Sequence, residues 1–251
     1  MKRLSVLLFA VFITGSFLVY AGQVFAVDVP SLTLNMGDGT GPKQVSSVLQ
    51  IVMLLTVLSM APAILLMTTS FVRIVVVLSF LRQAMGTQQM PPNQIIIGLA
   101  MFLTFFIMSP VFTQMNEKAL QPYLQEQIEE KEALALAVTP MREFMFTQVR
   151  EDDLKLMTEL SGNKAPATRA EVPTMTLIPA FMLSELKRAF QIGFMIFIPF
   201  LVIDMITATV LMTMGMLMLP PVIISLPFKI LLFVLVDGWN LIVGSLVRGF
   251  Y

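Results

Sequence analysis

The chain has 251 residues, 57% of them hydrophobic and 13% charged, with a mean hydropathy of +0.84. Soluble domains carry roughly 45–50% apolar and about 25% charged residues, so this composition marks a membrane protein. The 16 basic and 16 acidic residues cancel, which argues against nucleic acid as a partner, and the lack of Cys and His removes disulfides, thiol chemistry, zinc sites and histidine-based triads, so no enzyme is expected.

The chain begins MKRLSVLLFAVFITGSFLVYAGQVFAVDVP. Lys2 and Arg3 precede an apolar run to Ala21, and Val24 and Ala26 supply the small residues of a cleavage site after Ala26. Residues 1–26 therefore read as a signal peptide, with an uncleaved anchor as the competing reading because the apolar run is long. Residues 27–44 follow as a polar, glycine-containing extracytoplasmic lead.

Residues 45–112 read as a first apolar helical hairpin. Val45–Met67 reaches about 35 Å at ~1.5 Å per residue, enough to cross ~30 Å of hydrocarbon, and Pro62 is expected to kink it. Phe71–Leu81 is short and carries Arg73. RQAMGTQQMPPNQ (Arg82–Gln94) is a polar turn, and Ile95–Val111 returns.

Residues 113–176 are charged and form a soluble helical insert, periplasmic if the signal peptide is cleaved. Leu120, Leu124 and Ile128 share one helical face. Thr139-Pro140 predicts a helix start, with threonine as N-cap and proline in the first turn, and Ser161-Gly162-Asn163 predicts the end of that helix. The charged surface serves either solvation or docking of a partner.

Residues 177–251 form a second apolar hairpin. Pro199 and Asp204 are expected to break its first run, and Pro227, Lys229 and Asp237 to interrupt its second. A methionine-rich tip, MTMGMLMLPP (Met212–Pro221), lies between them. A cleaved signal would place this tip and the Arg82–Gln94 turn inside, and Arg73 and Arg82, without nearby acids in sequence, agree with that orientation. The expected fold class is all-α: membrane-associated helical hairpins with broken, proline-kinked helices plus the soluble insert.

Arg73, Asp204, Lys229 and Asp237 all sit in apolar runs. Each would cost about 2.5–3.5 kcal/mol at a bilayer centre, so they must pair, face water or lie outside the hydrocarbon. Asp204 with Lys229, across the second hairpin, is the preferred couple, either as a static bridge or as a proton relay.

Long motifs then become recognisable. PAFMLSELKRAFQIGF (Pro179–Phe194) and PFKILLFVLVDGW (Pro227–Trp239) resemble the two signature segments of the FliP family, and Thr68–Phe112 and MREFMFTQVRE (Met141–Glu151) resemble it too. The resemblance implies an export-gate protein of the bacterial flagellum, related to the R-type subunit of injectisomes. It implies a homo-oligomer, a pentamer in the family, joined by Q-type and R-type gate subunits. B-type and A-type export proteins and the basal-body ring are the further partners implied. It also implies passage of unfolded flagellar proteins across the inner membrane within the basal body, with no cofactor and no metal. Helices that look transmembrane would then be buried in protein.

Carried over by the same resemblance, Met216, Leu217 and Met218 match a methionine-rich loop that constricts the channel. Leu217 departs from the commonest triple-methionine form. Glu185 and Lys229 fall in the signature segments and are candidates for inter-subunit or structural polar contacts, together with Asp204, Arg73 and Asp237. Gly215 and Pro220-Pro221 favour a break, so Met216 and Met218 are expected to leave the helix that holds Met212 and Met214. Two other functions compete: a Cu(I) transporter using thioethers, which lacks supporting Cys and His, and a proton-coupled transporter using Asp204, Lys229 and Asp237.

Overall fold

The computed structural model describes residues 42–87, 90–162, 168–216 and 218–251, with side chains for Leu49 and from Ile51 onward. The signal peptide, its cleavage site at Ala26, most of the lead, and Leu217 lie outside the described residues. Described residues up to Leu55 belong to one unit and those from Thr56 onward to another.

Among the described residues there are helices and no strands. In chain order they are α1 (Pro42–Met67), α2 (Phe71–Met85), α3 (Asn93–Met115), α4 (Glu130–Gln148), α5 (Glu151–Leu160), α6 (Thr174–Thr213), α7 (Pro221–Leu235) and α8 (Gly238–Arg248). A π-helical turn, Asn116–Leu120, and a last α turn, Gln121–Leu124, extend α3. Two helices, Asn93–Leu124 and Thr174–Thr213, are long and apolar enough to cross a membrane, and up to four spans result if each bent pair counts as one.

The prolines do not break these helices. Pro62, Pro110, Pro140, Pro199 and Pro227 all lie inside continuous helices, and so do Asp204 and Lys229, which were expected to interrupt theirs. The two sharp bends fall elsewhere, 64° between Met67 and Phe71 and 62° between Leu235 and Gly238. At the first, Thr68 and Thr69 turn their hydroxyls back onto the carbonyls of Ile64 and Leu66 at 3.0 and 3.2 Å, which satisfies the exposed end of α1. At the second, Asp237 adopts a left-handed conformation, φ 50°. The expected N-cap at Thr139 is also corrected. Thr139 is inside α4, its hydroxyl donates to Ala135 O at 3.0 Å, and the real interruption comes at Val149-Arg150, where both residues are extended.

The 40-residue α6 is the spine. At ~1.5 Å per residue it runs about 60 Å, twice the hydrocarbon thickness, so half of it must lie outside lipid. Its first half bears Glu185, Lys187 and Arg188 and packs against α4 and α5. Its second half, from Phe194, carries Asp204 as its one charged residue in a largely apolar run. The soluble insert and the second hairpin thus share one helix.

α2 lies along α6 and presents Ile74, Val77, Leu78, Leu81 and Met85 at helical spacing, all buried. Where the two cross, a Cβ on Gly193 would stand 2.5 Å from Phe80 Cδ2, so only glycine admits that approach. Phe80 stacks edge-on against Phe190. A second core, under the insert, joins Met108 and Val111 of α3 to Met141, Met145, Leu177 and Phe181. By contrast Val57, Leu58, Met60 and Leu65 of α1 are exposed, a greasy surface that only lipid or other protein would cover.

Candidate gating turn and the charge clusters beneath it

α6 ends at Thr213 in a glycine-terminated turn. Gly215 N–H donates to Met212 O and Met216 N–H to Leu211 O, both at 3.0 Å, and Gly215 has φ 72°. That pair of bonds around a left-handed glycine is a Schellman ending, in which glycine alone avoids the steric cost of the left-handed region. The turn closes with Leu219 N–H to Met216 O before Pro220 and Pro221 open α7. Met214, Met216 and Met218 all lie beyond the last helical residue, one methionine more than the sequence suggested. Met212 and Met214 are exposed, Met216 is 42% exposed, and Met218, at 97%, touches almost nothing. Met214 and Met216 border an open apolar groove of about 520 Å³ with Val210, Leu211, Ile224 and Phe228.

Beneath the turn, Lys229 of α7 meets Asp204 of α6. Lys229 Nζ is 2.6 Å from Asp204 Oδ2 and donates to Ala84 O at 3.2 Å, while Ser225 Oγ donates to Asp204 Oδ1. The couple expected across the second hairpin is therefore present, and through Ala84 it also grips the end of α2. The Lys229 side chain is 3% exposed and that of Asp204 32%. We expect Asp204→Asn to lower stability by about 1–3 kcal/mol, because Lys229 keeps its charge in a buried place with poorer acceptors. Adding Lys229→Met should restore much of the loss, since a buried pair is often replaceable by apolar residues. Melting of the detergent-solubilised chain checks this; a double variant no more stable than Asp204→Asn alone would refute it.

Arg73, read from sequence as a cation flanking the first turn and a candidate polar contact, is the centre of a buried polar cluster. Its side chain is 2% exposed and that of Glu185 is 0%. Arg73 Nε donates to Glu185 Oε2 at 2.8 Å and Nη2 donates to Oε1, a fork matched to a carboxylate. Nη2 also reaches Gln148 Oε1 at 3.0 Å, Nη1 reaches Gly249 O at 3.0 Å, and the guanidinium sits 3.7 Å from the centroid of the Phe250 ring. Arg188 joins at Gln148 Oε1, 2.8 Å away. Glu185 thus meets both Arg73 and Arg188 of its own chain. Asp237 is exposed at the bend, accepting from Asn240 Nδ2 at 3.2 Å.

Gln148, Arg188 and the C-terminal carbonyls were not singled out from sequence, and neither was Asp153. Asp153, buried on α5, receives Ser184 Oγ at 2.8 Å and an ion pair from Lys187, while Arg150 N–H donates to Ser184 Oγ at 3.0 Å. Burial favours the neutral acid, but hydrogen bonds from Lys187 and Ser184 and the charges of Lys187 and Arg150 outweigh it, holding the carboxyl below the usual carboxylate range. A depressed native pKa means that the unfolded chain takes up the proton first. The stabilisation is therefore full at neutral pH and is lost as pH falls below about 4 and through the native value. The thermal midpoint should fall over that window in the wild type, and less steeply in Asp153→Asn.

The match to known proteins settles the family. A model of the FliP family aligns with residues 54–246. The chain belongs to the FliP family. Proteins named flagellar biosynthetic protein FliP are similar over most of their length: that of Bacillus subtilis (strain 168) is 55% identical over 217 residues, covering 86% of this chain and 98% of its own. The Caulobacter vibrioides protein is also 55% identical, over 86% of this chain and 82% of its own. The Aquifex aeolicus protein is 47% identical over 232 residues, 92% and 95% of the two chains. Every segment that carried the resemblance, Thr68–Phe112, Met141–Glu151, Pro179–Phe194 and Pro227–Trp239, falls inside the matched region of this FliP-family chain.

Proposed function

We propose that this FliP-family chain is the pore-forming core subunit of the flagellar type III protein export gate, an inner-membrane assembly within the basal body. It passes unfolded flagellar subunits through a ring of its own copies, a pentamer completed by Q-type and R-type subunits and served by B-type and A-type export proteins. No catalytic residue, cofactor or metal is assigned to it. The methionine turn, Met212–Met218 with Leu217 between the last two methionines, is the gate, and Gly215 is the hinge that sends it off the helix.

The observation that carries this reading is the exposure of four methionines on a Schellman turn with Met218 almost wholly uncovered. A single chain gains nothing by offering soft side chains to water. Around a ring they cover one another, and their three rotatable bonds and polarisable sulfur let them conform to whatever passes. The clamp of Asp204, Lys229 and Ser225 gives the tip a rigid base.

The chain has no cysteine, so Met218→Cys creates a unique thiol. In the assembled, membrane-extracted complex, mild oxidation should link neighbouring copies into dimers through this position. Leu160→Cys, exposed on α5, should not link. An intact oligomer by native mass spectrometry that gives no Met218→Cys dimer would end the converging-tip reading.

A further inference from the structure

A half-open cavity of about 210 Å³ lies between α2, α3 and α8, lined by Leu78, Leu81, Ile96, Leu99, Arg82 and Trp239. We propose that it binds an anionic phospholipid, one acyl chain entering the cavity and the phosphate held by Arg82. The cavity walls are almost wholly apolar, and apolar cavities of roughly 150 Å³ already stay dry and admit small apolar molecules. Ile95 and Trp239, both exposed, stand at its rim, so it can be reached from outside the chain.

Arg82 decides the chemistry of the guest. Its Nη1 donates to Pro91 O at 3.3 Å and to Asn93 Oδ1, and Nε and Nη2 have no partner among the described residues. Among the described residues, the buried or half-buried Arg73, Arg188 and Lys229 each stand within ion-pair distance of a carboxylate, and Arg82, like several surface cations, does not. A guanidinium with a free donor edge beside an apolar cavity suits a phosphate that carries hydrocarbon with it. A purely apolar guest would leave that edge unpaired, and a free anion would leave the cavity empty. The indole N–H of Trp239 likewise has no partner among the described residues, and tryptophan belongs at the headgroup level of a bilayer.

Trp239 is the only tryptophan in the chain, so its fluorescence reports on the cavity directly. The full-length chain would be placed in nanodiscs containing phosphatidylglycerol or phosphatidylcholine with brominated acyl chains, which quench tryptophan on contact. Brominated phosphatidylglycerol should quench Trp239 at about fivefold lower mole fraction, the factor expected for one arginine at an anionic headgroup. Arg82→Gln should erase that preference and leave weak, equal quenching by both lipids. Equal quenching of the wild type by the two lipids overturns the proposal. So does quenching by neither, because protein then closes the cavity. The wild-type comparison decides on its own if Arg82→Gln does not fold.

Discussion

Replacing Glu185 by alanine should cost about 3–5 kcal/mol, the usual penalty for leaving a buried charge without its partner. Arg73 is 2% exposed and would keep only Gly249 O, Gln148 Oε1 and the face of Phe250. Arg188 already shares Gln148 Oε1 and stands 3.9 Å from Glu185 Oε1. Removing the carboxylate would thus leave two guanidiniums facing one neutral amide. The cluster joins α2, the end of α4, α6 and the residues after α8, so its loss loosens four parts of the chain together. Against a typical total stability of about 5–15 kcal/mol, a loss of this size should nearly abolish accumulation in the membrane. Immunoblotting of membranes and thermal melting in detergent would show it. A variant that replaces both charges with apolar residues, Arg73→Met with Glu185→Leu, should recover part of the stability and separates an orphaned charge from a simple cavity. Unchanged melting of Glu185→Ala would show that the cluster contributes little.

Neither half of that cluster predicts the other from sequence. Arg73 and Glu185 are 112 positions apart, on segments that composition assigns to different hairpins. The cost of a charge in an apolar run does predict that each needs a partner, and for Asp204 and Lys229, on adjacent helices of one hairpin, proximity in the chain was enough to choose it. Arg73 had no acid nearby in sequence, so it was read as a cation flanking the first turn and a polar contact without a named partner; that partner arrives only when α2 lies along α6.

The prolines mislead for a related reason. A proline frees one carbonyl, and whether the helix survives depends on what surrounds that carbonyl, which local sequence does not encode. Pro140 sits mid-helix, directly after a threonine whose hydroxyl turns back to Ala135 O. Of the bends, the one at Asp237-Gly238 falls where Asp237 was expected to interrupt its run, while the other is marked only by the polar triplet Thr68-Thr69-Ser70 inside an apolar region. The methionine turn was legible because glycine and two prolines bracket it. Its Schellman bonds, which carry three methionines off the helix, became clear only from the backbone.

Alanine at Met212, Met214, Met216 and Met218 together should make the resting gate leak ions while leaving the chain folded. All four side chains are exposed and only Met214 and Met216 rest against a groove, so the substitutions remove little buried surface. Each exchange removes the three outermost heavy atoms of a methionine. In the proposed ring that trimming would repeat at every copy around one axis, so a small local change would become a wide opening where the methionines converge. A narrow apolar ring also excludes ions by dewetting, a barrier that falls steeply as the ring widens. Conductance of the reconstituted, closed gate should therefore rise sharply in the quadruple variant and modestly with Met218→Ala alone. Leucine at the same positions keeps the apolar bulk but is branched and stiffer, so it should hold the seal at rest and slow the passage of polypeptide instead. The two substitutions thus separate sealing from compliance. A quadruple alanine gate that assembles fully yet conducts no more than wild type would show that these methionines are not the barrier.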